Sequence, residues 1–517
     1  MNGAVATVDH RATAAAEAVL REGGSAADAA VCANAVLAVT GQHLCGAGGD
    51  LVALVRTPTG DVEALLAVGR FGSNSEAARL RAEGHRRVPH QGDPRAVTVP
   101  GCVDGWTALH ARHGRLPLAR LLEPAVALAT DGFEVTPLLA AALPSVAHVA
   151  GGEELVGDLP VAAGDRRRRP ALAAALAAIG RDGRDAWYGG AFGRGLQALA
   201  PGLFSDADLA RDQAGWTTPA RLRVGDAVLL STPPPTAGHL VLAGAHVAHA
   251  VGALGGGDPH LLVEAARAVG GDRLEVLHED ADPAALLDPG RLAAQAATVD
   301  PHRRAPGHWP AGSGGTTYLC VADGDGLVVS LSQSNASGFG SGLAVREVGV
   351  FLHNRGIGAS LDPDSPALLR PGGRPTTTLV PALRLAGGHD AGTVTALGTM
   401  GGDAQPQILL QLLDALATGA TPAEALARPR WALEGRDGTG FDTWQPGPDG
   451  RVEPAVLLED AAPEAWARDL RALGHDVHAR ERGIGHAQLL VRHGDGSEAR
   501  LVAAADPRAG TGDARAW

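Results

Sequence analysis

Apolar and polar positions follow two different periods along this chain, and the change of period marks its organisation. From His10 to Arg21 an alanine-rich stretch has helical character and stops at Gly23-Gly24. Ser25 then offers a capping hydroxyl to a second helix that runs to about Val39. "DLVALVRT" and "DVEALLAV", parted by Pro58-Thr59-Gly60, predict a β-hairpin. "VTVPGCVDGWTALHARHGRLPLARLLEPAVALATDGFEV" predicts a helix, a turn at Gly114 and a helix closed by Gly132. Residues 140–300 read mostly as Ala/Leu-rich helix, with loops at "GDRRRRP" and "STPPPTAGH".

Beyond Gly315 the pattern changes. "TTYLCVAD" and "LVVSLSQS" are short strands around a "GDG" turn, and "TTTLVPALRL" pairs in the same way with "TVTALGTM". Helix returns at "PQILLQLLDALATG". Helices, then strands, then helices again predict an α+β fold, a four-layer αββα sandwich to which both halves of the chain contribute. No internal repeat and no long low-complexity linker separates independent domains.

Composition narrows the function. The net charge of -13 argues against nucleic acid or an anionic membrane as a partner. All 44 basic residues are arginine, so Schiff-base lysine chemistry and a Walker-type phosphate loop are excluded. Cys32, Cys45, Cys102 and Cys320 are scattered without a C-x-x-C pair, and read as reduced, buried residues of a cytoplasmic protein. No basic segment followed by an apolar one opens the chain, and no apolar run has the length of a membrane span.

Several motifs take plain readings. Arg166 to Arg169 form a solvated loop. His246 and His249 share a helix face without a third ligand, so no metal is expected there. "GAGGD", Gly46 to Asp50, precedes a strand instead of following one, so no nucleotide cofactor is expected. The step Gly314-Gly315-Thr316-Thr317 is open to two readings. It is either a tight turn before β-branched strand residues, or a self-cleavage point that makes Thr316 an N-terminal nucleophile.

A resemblance bears on that choice. "EGGSAADAAVCANAVLAVTGQHLCGAGGD", the "PGCVDGW…GRLP" segment, "GGTTYLCVADGDG", "FGSG", "RPTTTLVP" and "GTMGGDAQPQ" occur in the order of the γ-glutamyltransferase (glutathione hydrolase) family. The similarity runs from about residue 5 to 510. It implies an N-terminal nucleophile hydrolase that cuts itself into chains 1–315 and 316–517, both building one domain. The two cleaved chains are then each other's partners as a heterodimer, and a dimer of these is left open. A small-molecule substrate is implied, and no cofactor.

Site residues follow from the same resemblance. Thr316 matches the nucleophile, Ser334 a hydroxyl that positions it, and Gly401 and Gly402 the oxyanion-hole pair. Arg70, Thr377 and Thr378 match the groups that hold the substrate carboxylate, with Asn335 and Arg355 beside them. Typical relatives carry an acid that binds the substrate's α-ammonium. The matching position here is Gly358, and Asp362 stands four residues later. Together with Phe71 after Arg70, this places the chain nearer a divergent, cytosolic branch, which implies an oxamate-like amide or a C–C bond next to a carbonyl as alternatives to γ-glutamyl donors. A catalytically silent binding relative is the reading from another class.

Overall fold

The computed structural model describes residues 2–517 except 306–314, 388–391, 436–453, 482, 495 and 497–498. Gly314 therefore lies outside the described residues. In chain order the strands that matter are β1 (Gly3–Thr7), β2 (Asp50–Arg56), β3 (Val62–Ala67), β4 (Gly215–Thr217), β5 (Ala220–Val224) and β6 (Ala227–Ser231). Then come β7 (Gly315–Asp323), β8 (Val328–Ala336), β9 (Ala382–Leu385), β10 (Val394–Thr399), β11 (Ala487–His493), β12 (Arg500–Ala505) and β13 (Asp513–Ala516).

They form two sheets, ordered β13-β1-β7-β8-β2-β3-β4 and β12-β11-β10-β9-β6-β5. Neighbours in both are antiparallel. Alternation along each strand divides the core into layers. Val5, Leu51, Ala53, Leu319, Val321, Val329 and Leu331 pack outward on helices including Ala26–Thr40. Ala4, Ala6, Leu54, Tyr318, Cys320 and Ala322 face the other sheet, against Leu383, Val394, Ala396 and Leu490. Helices Gly238–Ala250, Pro259–Gly270 and Gln405–Ala417 cover the second sheet's far side. The αββα sandwich is thus present, and each sheet contains strands from before and after Gly315.

The early helices form where the pattern puts them. Ser25 and Asp28 make a reciprocal capping box at the start of Ala26–Thr40, a helix buried on every side. Three expectations need correction. The stretch 140–300 contributes strands β4, β5 and β6 as well as helices, and two of these extend the second sheet. Only Ala382–Leu385 of "TTTLVPALRL" is strand, because Pro375 and Pro381 lack the N–H a ladder needs. Arg169 is fully buried, whereas Arg166 and Arg168 are exposed. It donates to the carbonyls of Ala38 and Val39 at 3.3 and 3.2 Å and Gly349 at 2.6 Å, closing the C-terminal end of Ala26–Thr40. All four cysteines are free and buried. No helix among the described residues is long and apolar enough to cross a membrane.

Candidate active site

Thr316 is the second residue of β7, so it shares the inter-sheet face with Tyr318 two residues on. Thr316 is 2% exposed. Its Oγ1–H donates to Ser334 Oγ at 3.1 Å. The Ser334 hydroxyl in turn donates to the Gly315 carbonyl oxygen at 2.6 Å and accepts the Ala336 N–H at 2.8 Å. A bulge in the β7–β8 ladder between Gln333 and Ala336 makes this possible, with Ala336 at φ 69°. Ser334 therefore bridges the threonine hydroxyl and the carbonyl that precedes it.

Asp50 stands directly across the β2–β8 ladder from Ser334, so both side chains lie on the same face. Its carboxylate accepts from Gly69 N at 3.0 Å and Arg355 Nε at 2.8 Å, and meets His353 Nδ1 at 3.1 Å. Burial pushes this carboxyl up, but His353, Arg355 and the Gly69 N–H together outweigh it and hold it below the ordinary carboxylate range. Sequence reasoning missed Asp50 and His353. The available signal was an acidic residue opening an otherwise apolar strand.

Arg355 is 1% exposed and is held by Asp50 through Nε, while its Nη2 has no hydrogen-bond partner among the described residues. Arg70 is placed differently. Its Nη1 donates to the Gly372 carbonyl at 2.9 Å and faces Glu279 at 3.4 Å, with about a quarter of the side chain exposed. Arg374, also missed, lies between these groups electrostatically. Burial, then Arg70, pull its guanidinium down to about 10 against the opposing pull of Glu279 and Asp50. Asn335 is fully buried and spends its amide on the Gln42 carbonyl at 3.0 Å, which pins the loop that precedes β2.

Gly401 and Gly402 follow the end of β10 with φ of 139° and 56°, conformations that favour glycine. Gly398 lies against the Tyr318 ring, where any Cβ would overlap the ring carbons. The glycine pair thus leaves the strand that packs on β7 and leads into the helix Gln405–Ala417, whose N-terminal N–H groups favour negative charge. Thr377 and Thr378 are tied to the same corner. The Gln405 side-chain amide, oriented to satisfy its neighbours, donates to the carbonyls of Thr378 at 3.2 Å and Thr399 at 3.1 Å. Thr377 Oγ1 accepts the Leu379 N–H at 3.3 Å.

Gly358 cannot simply be replaced by an acid. A Cβ there would overlap the Thr376 carbonyl oxygen, and Thr376 Oγ1 donates to the Gly358 carbonyl at 2.7 Å. Asp362 is exposed and its Oδ1 accepts the Asp364 N–H at 3.0 Å within its own turn. Two histidines, His43 buried and His486 partly buried, complete the surroundings. The His43 carbonyl is 3.2 Å from where a Gly315 Cβ would stand, and the His486 carbonyl accepts the Met400 N–H at 3.2 Å. Burial, chiefly, drives His43 down to about 3 and His486 to about 4, so both are neutral in ordinary buffers.

Among the described residues, His260, Glu264 and His475 form the one trio whose ligand atoms lie within 4.8 Å of one another. The Glu264 carboxylate already takes the Ala305 N–H at 2.7 Å and pairs with Arg267 at 3.2 Å. The trio therefore works as a clasp on residues 300–305, with His260 Nε2 on the Asp300 carbonyl at 2.8 Å.

A four-layer sandwich with a threonine hydroxyl set beside the preceding carbonyl at a strand's beginning defines the class of N-terminal nucleophile hydrolases. Comparison with known proteins gives the family. The profile for gamma-glutamyltranspeptidase matches residues 12–516, and the chain belongs to that family of hydrolases and acyltransferases. It is 36% identical to the oxamate amidohydrolase proenzyme of Klebsiella pneumoniae, over 98% of this chain and 97% of that protein. It is 30% identical to the acylase ACY 1 proenzyme of Pseudomonas sp. (strain SE83), over 96% and 90% of the two chains. Among solved structures it resembles the cephalosporin acylase from Bacillus halodurans, with a TM-score of 0.86, 26% identity, and coverage of 100% of this chain and 96% of that one.

Proposed function

We propose that the chain cuts itself between Gly315 and Thr316, and that the freed Thr316 then attacks the amide carbonyl of a small donor bearing a carboxylate. The observation that carries this reading is the bridge from Thr316 Oγ1 through Ser334 Oγ to the Gly315 carbonyl oxygen. As the threonine oxygen attacks the Gly315 carbonyl carbon, its proton passes to Ser334 and the Ser334 proton supports the developing alkoxide. The tetrahedral centre collapses as the relayed proton passes to the Thr316 nitrogen, which leaves as an amine while Gly315 remains as an ester on Oγ1. Water hydrolyses that ester to a Gly315 carboxylate and a free Thr316 amine.

Chains 1–315 and 316–517 then stay together, because each sheet draws strands from both. The new α-amine, with an ordinary pKa of about 8, serves as general base for its own hydroxyl. Gly401 and Gly402 offer backbone N–H groups to the oxyanion, and Arg70, Thr377 and Thr378 hold the donor's carboxylate. The names of the relatives, an oxamate amidohydrolase and an acylase, favour a small amide over glutathione. Four free, buried cysteines suit a reducing compartment, and we place the enzyme in the cytoplasm.

The test is a panel of oxamate, glutaryl and γ-glutamyl amides, each quenched early and followed by intact mass. The small chain should gain one acyl group on Thr316. An adduct on another residue, or full activity in an uncut chain, would sink the reading. Arg70→Leu supplies a second check. Self-cleavage should persist, while kcat/KM falls at least tenfold, as expected from losing a charge-assisted contact worth about 1.5–3 kcal/mol. Unchanged kinetics would remove Arg70 from the site.

A further inference from the structure

Glycine leaves a backbone unconstrained, yet an oxyanion contact needs N–H groups whose direction is fixed before the reaction begins. Something must therefore hold the Gly401-Gly402 turn. On its upstream side backbone does so, with the Met400 N–H on the His486 carbonyl at 3.2 Å. On its downstream side the Ala404 N–H closes on the Gly401 carbonyl at 3.0 Å. Asp403 is the first side chain after the two glycines, and it is buried. Its Oδ1 accepts from Nη1 of Arg273, which is equally buried. Asp403 Oδ2 has no hydrogen-bond partner among the described residues, so this one contact anchors the carboxylate. Burial pushes the Asp403 carboxyl up, and Arg273 opposes it. Arg273 opens the short helix Arg273–Val276, far upstream of Gly315, so the pair joins the large chain of the proposed cut to the small one. An ion pair buried this completely costs desolvation that apolar side chains of similar size would avoid. Its return is direction, since it fixes the residue next to two glycines that cannot fix themselves.

We propose that Asp403 and Arg273 are positioning residues for turnover: their buried ion pair sets the turn that carries the Gly401 and Gly402 N–H groups, and so aims those groups at the oxyanion. This rests on Thr316 forming the acyl-enzyme and on the glycine pair stabilising the charge that develops. Neither side chain touches the donor. Self-cleavage does not depend on the pair, because Ser334 supports the alkoxide of that step.

Removing one partner would strand the other charge in the interior, so the test removes both. Arg273→Met/Asp403→Leu roughly keeps the volume and loses the ion pair. The double variant should cut itself as the wild type does, and its melting temperature should stay close to the wild type's. With the panel amide that the wild type turns over fastest, kcat should fall at least tenfold while KM stays within about twofold, the pattern of a contact made only in the transition state. A role in folding alone would lower the melting temperature and leave kcat per folded enzyme intact. Wild-type kcat in the double variant overturns the proposal. A loss carried mainly by KM also overturns it, since the pair would then act in donor binding. Failure of the variant to fold or to cut itself does the same, because the pair would hold the fold and not the turn. In each of these cases an acyl adduct on Thr316 of the wild type leaves the proposed reaction standing. If no panel amide leaves an adduct there, both fall.

Discussion

Replacing Thr316 by alanine should leave a single full-length chain of 517 residues with no hydrolase activity. In the proposed mechanism the substitution removes the oxygen that attacks both the Gly315 carbonyl and the donor, so two reactions fail through one atom. The loss of turnover should be on the order of 10⁴-fold or more, because the other groups only position or stabilise what that oxygen forms. Stability should change little. The methyl and hydroxyl of Thr316 occupy a buried strand position whose backbone ladder alanine preserves. Denaturing electrophoresis reads the outcome directly, with one band for the variant and two for the wild type. Two bands from Thr316→Ala would place the scissile bond elsewhere.

Ser334→Ala should slow self-cleavage by about 10²–10³-fold, the usual cost of removing one hydrogen-bond donor from a developing oxyanion. The change leaves the Gly315 carbonyl, the Thr316 hydroxyl and the Ala336 N–H all short of a partner. Purified precursor should convert with first-order kinetics at a rate independent of concentration, as an intramolecular reaction requires. Ser334→Thr keeps the hydroxyl and should recover most of the rate, which separates chemistry from packing. Burial keeps His43 and His486 neutral between pH 5 and 8, so neither of these two should contribute a step to the cleavage rate there. Wild-type cleavage kinetics retained in Ser334→Ala would remove this serine from the reaction.

Much of the fold was legible because its signals are local. Ser25 and Asp28 sit three residues apart, so their capping box can be read from the sequence alone. The hairpins β2–β3 and β7–β8 each join neighbouring segments through short turns, and their alternation is visible in the residues themselves. Where the reading failed, a distant partner decided. Arg169 lies in a run of four arginines that looks solvated, yet it alone is drawn inside by open carbonyls at the end of a helix some 130 residues earlier. Strands β5 and β6 carry an ordinary mix of residues; β6 becomes a strand because β9 offers it a ladder, and β5 because β6 then offers the next one.

The sequence by itself determined which atoms this protein has for its chemistry. A chain without lysine, with Thr316 after Gly315 and with glycines at 401 and 402, has the hydroxyl and the bare backbone that the proposed reaction uses to attack and to stabilise an oxyanion. Period-two alternation further requires Thr316 and Tyr318 to share one face of their strand. Only the tertiary structure decided that this face turns towards the second sheet, and which charges gather there. Asp50 and Arg355 are 305 positions apart, and Asp50 and His353 are 303 apart. No local period encodes such pairings. They exist because β2 and β8 pair in one register and because burying Asp50 is tolerable only when donors from a remote loop surround it.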